Sequence, residues 1–231
     1  MRDPRTPPTL KGNVMKTDAE LKRDILDELS WDPSVNATAI GVIVQDGVVT
    51  LTGHLATYSE KHAAERAVLR VSGVKALAVE LDVRLASSHN RTDAELAAAV
   101  QHALEWSAVV PRNCIQPKAE KGWITLSGQV EWEYQSGAAE RTVRDLIGVV
   151  GVSNLIKVKP HVSPIDIQKS IQDALTRQAV REAKHLVILA EGSRLTLRGK
   201  VHSWAERQAV LGSAWAAPGV SSVVNEMIVE S

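Results

Sequence analysis

The residues of this chain best placed to do chemistry are cations, and the chemistry they offer is attraction of anions. Arg194, Arg198 and Lys200 fall at even positions of one predicted strand, and Trp204 follows it. Alternate side chains of a strand share a face. These three therefore lie opposite Leu195, Leu197 and Val201, on the outer, solvent side. Arg177, Arg181 and Lys184 gather at and just beyond the end of a preceding helical stripe. A Lys or Arg near an anionic membrane contributes about 1 kcal/mol. A coplanar set with Trp204 as interfacial anchor is thus a candidate site for phospholipid headgroups. The competing reading is a solvated face whose charges serve solubility and edge protection.

Other chemistries find little support. The seven histidines are scattered, and only His54 and His62 are near enough in sequence to meet across a turn. No Cys or carboxylate accompanies them at metal-ligand spacing, so no metal is expected. Cys114 is the single cysteine and cannot form an internal disulfide; it reads as packing or a free thiol. No Ser/His/Asp set stands out, and no glycine-rich phosphate cradle is present, so neither catalysis nor a cofactor is expected. Asp18, Glu20, Asp24, Asp27 and Glu28 form a charged helix face that reads as solvated surface. Lys plus Arg and Asp plus Glu are both 27, which argues against nucleic acid as a partner.

The 231 residues are 44% hydrophobic and 23% charged, an ordinary globular composition. No apolar run approaches the ~20 residues that span a bilayer. The start, MRDPRTPPTLKGNVMKTDAEL, lacks the apolar core of a signal peptide. As written the chain reads as cytoplasmic; a different true N-terminus would make it periplasmic. Residues 1–16, rich in Pro, Arg and Thr, read as a disordered leader, with Met15 as an alternative start.

The elements that position these residues come in three copies. Gly53, Gly128 and Gly199 each interrupt a strand, at spacings of 75 and 71. Twenty residues on lie Gly73, Gly148 and Gly219, each followed by Val. Thirty-two residues before the anchors, Leu21, Leu96 and Ile167 each open an i, i+4, i+8 apolar stripe. That period is helical. Thr17 with Glu20, and Thr92 with Glu95, have capping-box spacing. Pro164 suits the first turn of the third helix. Two alternating strands follow, joined in the first copy by Asp46-Gly47 and in the second by Lys121-Gly122. Pro117 predicts an edge strand or bulge. A second helix rich in small residues comes next, then a last alternating strand.

Each unit therefore reads α-β-β-α-β, over 17–85, 92–160 and 163–231. The fold class is α+β, each unit a small three-stranded sheet with two helices packed on one face. Gly53, Gly128 and Gly199 point inward, so they are expected to be packing sites where the Ala-rich second helix approaches the sheet. Trp31 and Trp106 occupy the same place after the first helix and read as structural plugs. Units of about 70 residues bury modest cores. With connectors of only 86–91 and 161–162, they are expected to dock on one another. Their charges differ: −4, −1 and +1 in chain order.

The acidic start of the first helix, the GVVTLTGHL strand and the GV-led final strand resemble the BON domain, named for bacterial OsmY and nodulation proteins. MKTDAELKRDILDELSWDP is especially similar, and the likeness covers nearly all of 17–231 as three tandem domains. The second copy departs at Pro117 and at Gln135, where the others have Glu60 and Glu206. The resemblance implies an αββαβ fold and a non-catalytic bacterial module associated with phospholipid surfaces, the envelope and osmotic stress. The alternative is a protein-binding scaffold without lipid affinity.

Overall fold

The computed structural model describes residues 16–159, 186–217 and 220–229. Residues 1–15 of the leader, Pro164 with the helix expected after it, and Arg177, Arg181 and Lys184 lie outside the described residues. In the first unit, helix α1 (Asp18–Trp31) starts where the capping box forms. The Thr17 hydroxyl accepts the Glu20 N–H at 3.3 Å, and the Glu20 carboxylate accepts the Thr17 N–H at 2.9 Å. The helix buries Leu21, Ile25 and Leu29 on one stripe. Strands β1 (Ile40–Gln45) and β2 (Val48–Leu55) form an antiparallel hairpin. Helix α2 (Tyr58–Arg70) then carries the chain over to β3 (Ala76–Val83), which pairs parallel to β2. The sheet order is β1-β2-β3.

The second unit repeats this order with α3 (Asp93–Trp106), β4 (Ile115–Glu120), β5 (Trp123–Val130), α4 (Glu133–Arg144) and β6 (Gly151–Val158). Pro117 sits in β4, an edge strand, where a missing N–H is tolerated. The third unit has β7 (Leu186–Glu191), β8 (Arg194–Val201), α5 (Trp204–Trp215) and β9 (Ser222–Val229), in order β7-β8-β9. The fold is α+β, with three three-stranded sheets in tandem. Each sheet has its own core, centred on Val49 and Leu51, on Ile124 and Leu126, and on Leu195 and Leu197.

A long-range staple fixes the hairpin of the first two units. The Asp18 carboxylate accepts the N–H groups of Asp46 and Gly47 at 2.8 and 3.0 Å. Asp93 does the same for Lys121 and Gly122, at 2.8 and 3.0 Å. Those two backbone bonds hold the Asp93 carboxyl below its usual range. A second conserved geometry lies at the start of the second helices. Glu60 accepts the Ala56 N–H at 3.0 Å, and Gln135 accepts the equivalent Glu131 N–H at 3.0 Å, so the Gln keeps the contact without the charge.

The anchor glycines are tight for a different reason from the one expected. Gly53, Gly128 and Gly199 have φ of 128°, 140° and 137°, a region L side chains rarely adopt. A Cβ on Gly53 would overlap the carbonyl oxygen of Ala39, and one on Gly128 that of Cys114. The close neighbour is thus the chain entering the partner strand, not the second helix. At Gly128 the next residue uses that approach: the Gln129 N–H donates to the Cys114 carbonyl at 3.2 Å.

The units dock through one repeated position. Tyr58, the first residue of α2, packs on the core of the second unit. Trp204, the first residue of α5, packs on the core of the first, its indole N–H donating to the Val74 carbonyl at 3.0 Å.

Candidate functional site

The side of the third sheet turned away from α5 gathers the described candidates. The inward residues Leu195, Leu197 and Val201 are buried, which turns Arg194, Thr196, Arg198 and Lys200 outward along β8. Arg194, Arg198 and Lys200 are exposed. Register places their neighbours. Leu189, Thr196 and Val224 form one row across the sheet; Val187, Arg198 and Glu226 form the next. Val187, Leu189, Val224 and Ile228 are all exposed, at 54%, 43%, 37% and 63%.

Two features of this face escaped sequence reasoning. Arg198 is ion-paired with Glu226 across β8 and β9, which raises the guanidinium pKa further. Glu191 faces Arg194 across the hairpin. The row is therefore cationic but partly balanced, and its margins are aliphatic. The signal existed in the alternation of β7 and β9, but only strand register shows which residues become neighbours. Trp204 is not part of the face. Its docking on the first unit, with the Arg207 guanidinium 4.5 Å from the ring centroid, corrects the expectation of a membrane anchor there.

The other two outer faces differ. The first carries Thr50, Thr52 and His54 on β2 beside Glu80 and Asp82 on β3. The second carries Thr125, Ser127 and Gln129, with Trp123 lying against Gly151 and donating its N–H to the Ser153 hydroxyl at 2.9 Å. Trp31 and Trp106 are not plugs. They are 85% and 78% exposed at the ends of α1 and α3, and Trp106 donates to His102 Nε2 at 2.8 Å. Both helices bury Leu stripes on the opposite side, which leaves their last residue outside the core.

A depression of about 240 Å³ lies between the first two units, lined by Tyr58, Ser59, His89, Arg144 and Asp145 among others. Two of its polar side chains are held by neighbours, while the Arg144 Nε is buried without a hydrogen-bond partner among the described residues. The Ser59 hydroxyl donates to the Asp145 carboxylate, and Arg144 donates to Glu140 at 3.0 Å. Burial, then the cations Arg144 and Arg66, hold the nearby His62 below its ordinary pKa. Burial pushes the Glu65 carboxyl up. Cys114 is half-buried against the second core. Among the described residues no group of three or more His, Cys, Asp or Glu is arranged to hold a metal ion, and no helix is long and apolar enough to cross a membrane.

Among solved structures, CdsD, a structural protein of the type III secretion system of Chlamydia trachomatis, aligns over 90% of this chain and 91% of its own. The identity is 14% and the TM-score 0.25. The PrgH periplasmic domain aligns over 89% of this chain and 100% of its own, at 10% identity and a TM-score of 0.21. Osmotically-inducible protein Y of Escherichia coli (strain K12) is 26% identical over 152 residues, which are 64% of this chain and 75% of that protein. The BON domain family matches at residues 17–84, 92–160 and 166–231, in step with the three sheets. The chain belongs to the BON domain family.

Proposed function

We propose that this is a non-catalytic BON protein of the osmotic stress response that works by associating with anionic phospholipid surfaces through its third sheet. One observation carries the reading: Arg194, Arg198 and Lys200 stand exposed in a single row on a sheet face turned away from α5. Headgroup phosphates would meet that row in the geometry of surface adsorption. The similarity to an osmotically inducible relative supports the physiological setting.

The test is co-sedimentation with phosphatidylcholine vesicles, with and without phosphatidylglycerol, at low and moderate salt. The wild type runs beside a variant carrying Arg194→Ser, Arg198→Ser and Lys200→Ser. Binding to the anionic vesicles only, weakened by salt and lost in the variant, is the expected result. No binding by the wild type at either salt would end the phospholipid reading.

A second reading rests on Trp31 and Trp106, whose exposure at equivalent places suits a protein partner. In that case the chain is a scaffold, and Trp31→Ala with Trp106→Ala abolishes capture of the partner while the serine variant does not.

A further inference from the structure

The same face holds a feature that electrostatic adsorption leaves unused. Its cations are partly answered on the spot: Arg198 is ion-paired with Glu226, and Glu191 holds the register position facing Arg194. A face built only to attract phosphate would not place two carboxylates among three cations. Around these charges stand four exposed aliphatic side chains, Val187 and Leu189 on β7 and Val224 and Ile228 on β9. Leu189 and Val224 flank Thr196 in one row, adjacent strands lying about 4.8 Å apart. The result is a short apolar ridge crossing the sheet, bordered by charged rows on both sides.

Neither of the other outer faces has this pattern. The first has Ile43 and Val48 exposed among Thr, His and acidic residues; the second has Trp123 opposite Gly151 and Leu155 opposite Ser127, with Lys118 and Lys157 on its two outer strands. Among the described residues, four exposed aliphatic side chains and a line of three cations on one strand come together on β7-β8-β9.

We infer that the third sheet reads lipid packing as well as lipid charge, its aliphatic ridge entering gaps between loosely packed acyl chains while Arg194, Arg198 and Lys200 meet the phosphates. The inference rests on the phospholipid reading above and adds a second requirement to it. A ridge of Val, Leu and Ile gains from a bilayer only where it leaves water for hydrocarbon. Tightly packed headgroups deny that entry, whereas curved or stretched bilayers open it. A modest net charge sharpens the preference, because electrostatic adsorption alone would hold the protein on any anionic bilayer. Swelling that stretches a membrane would then recruit the protein without any change in lipid composition.

The experiment compares the full chain on small sonicated and large extruded vesicles with the same phosphatidylglycerol fraction and the same total lipid. The variant carries Leu189→Ser and Val224→Ser, both at exposed positions, with circular dichroism to confirm the fold. The wild type is expected to bind the small vesicles about tenfold more tightly, and the variant to lose most of that ratio while remaining salt-sensitive. Equal binding of the wild type to both vesicle sizes would overturn packing recognition and leave charge recognition standing. An unchanged ratio in the variant would likewise overturn the role of the ridge. Absence of wild-type binding to either would remove both ideas together.

Discussion

Tyr58 and Trp204 hold the same place in their units, five residues beyond the anchor glycine, yet they make different joints. Trp204 brings an indole to the first unit's core, donates one hydrogen bond to a carbonyl, and is covered by a guanidinium. That joint rests on the ring, one carbonyl and one guanidinium. Tyr58 brings a smaller ring to the second unit, its hydroxyl near the Val152 backbone and its pKa raised first by burial. Around it lie Ser59 with Asp145, and His62 and Glu65 within the field of Arg144. Glu133 stands at the corresponding place in the second unit, where burial pushes its carboxyl up. One position of a repeated fold has thus been given three chemistries, while the glycine before it stays fixed.

The fixed element sets the scale for breaking the joints. Gly128→Val places a β-branched residue at φ 140° and drives its Cβ into the Cys114 carbonyl. Backbone strain and overlap together should cost about 3 kcal/mol or more. Chemical denaturation should show the second unit unfolding first, and the joint made by Tyr58 should go with it. A melt within a degree or so of the wild type would mean the backbone relaxes freely there.

How far the sequence foretold this depends on the range of each interaction. The stripe Leu21, Ile25, Leu29 and its capping box are local, and both are found as read. The hairpins and the closing strands follow from period-two alternation with turn residues at fixed offsets. The misreadings concern neighbours distant in sequence. Helices commonly cover small inward positions, so the sequence points to the second helix as the neighbour of Gly53. Deciding for Ala39 requires the register Ile40 to Gly53, which no local pattern prints. Trp204 looked like an anchor because it follows a basic strand; its true contact, Val74, is 130 residues away. Glu226 lies 28 residues from Arg198 and becomes its partner only through a parallel crossover. The Asp18 staple was hidden for the same reason, its carboxylate reading as helix surface until the hairpin folds back on it.

The apolar joint should be the more expensive of the two to lose. Trp204→Ala removes a partly buried indole and its hydrogen bond, for about 2 kcal/mol. The third unit should then separate from the first, seen as a larger hydrodynamic radius and an earlier, distinct transition. Tyr58→Phe keeps the ring and removes only the hydroxyl, so about 1 kcal/mol is expected, without separation. If Tyr58→Phe loosened the chain as much as Trp204→Ala, the division into an apolar and a polar joint would be wrong.

Acid should find the polar joint and spare the other. His62 has a folded pKa below its ordinary 6.5, first from burial and then from Arg144 and Arg66, with Glu140 and Asp145 acting the other way. A depressed base binds fewer protons folded than unfolded. Its neutral form therefore supports the fold above about pH 6.5, and that support is lost as pH falls below the unfolded value. Glu65 acts with opposite sign. Burial raises its carboxyl above 4.5, so its contribution is present in acid and lost as pH rises through the folded value. Between about pH 7.5 and about pH 5.5 the wild type and a His62→Gln variant share every other titrating group, so their difference isolates the histidine. Thermal melts over that range should show the wild type losing more than a His62→Gln variant. The increment should vanish in a background already opened by Tyr58→Ala, and persist in one opened by Trp204→Ala. Equal losses in wild type and His62→Gln would assign the acid sensitivity elsewhere and leave the two joints alike in their response to protons.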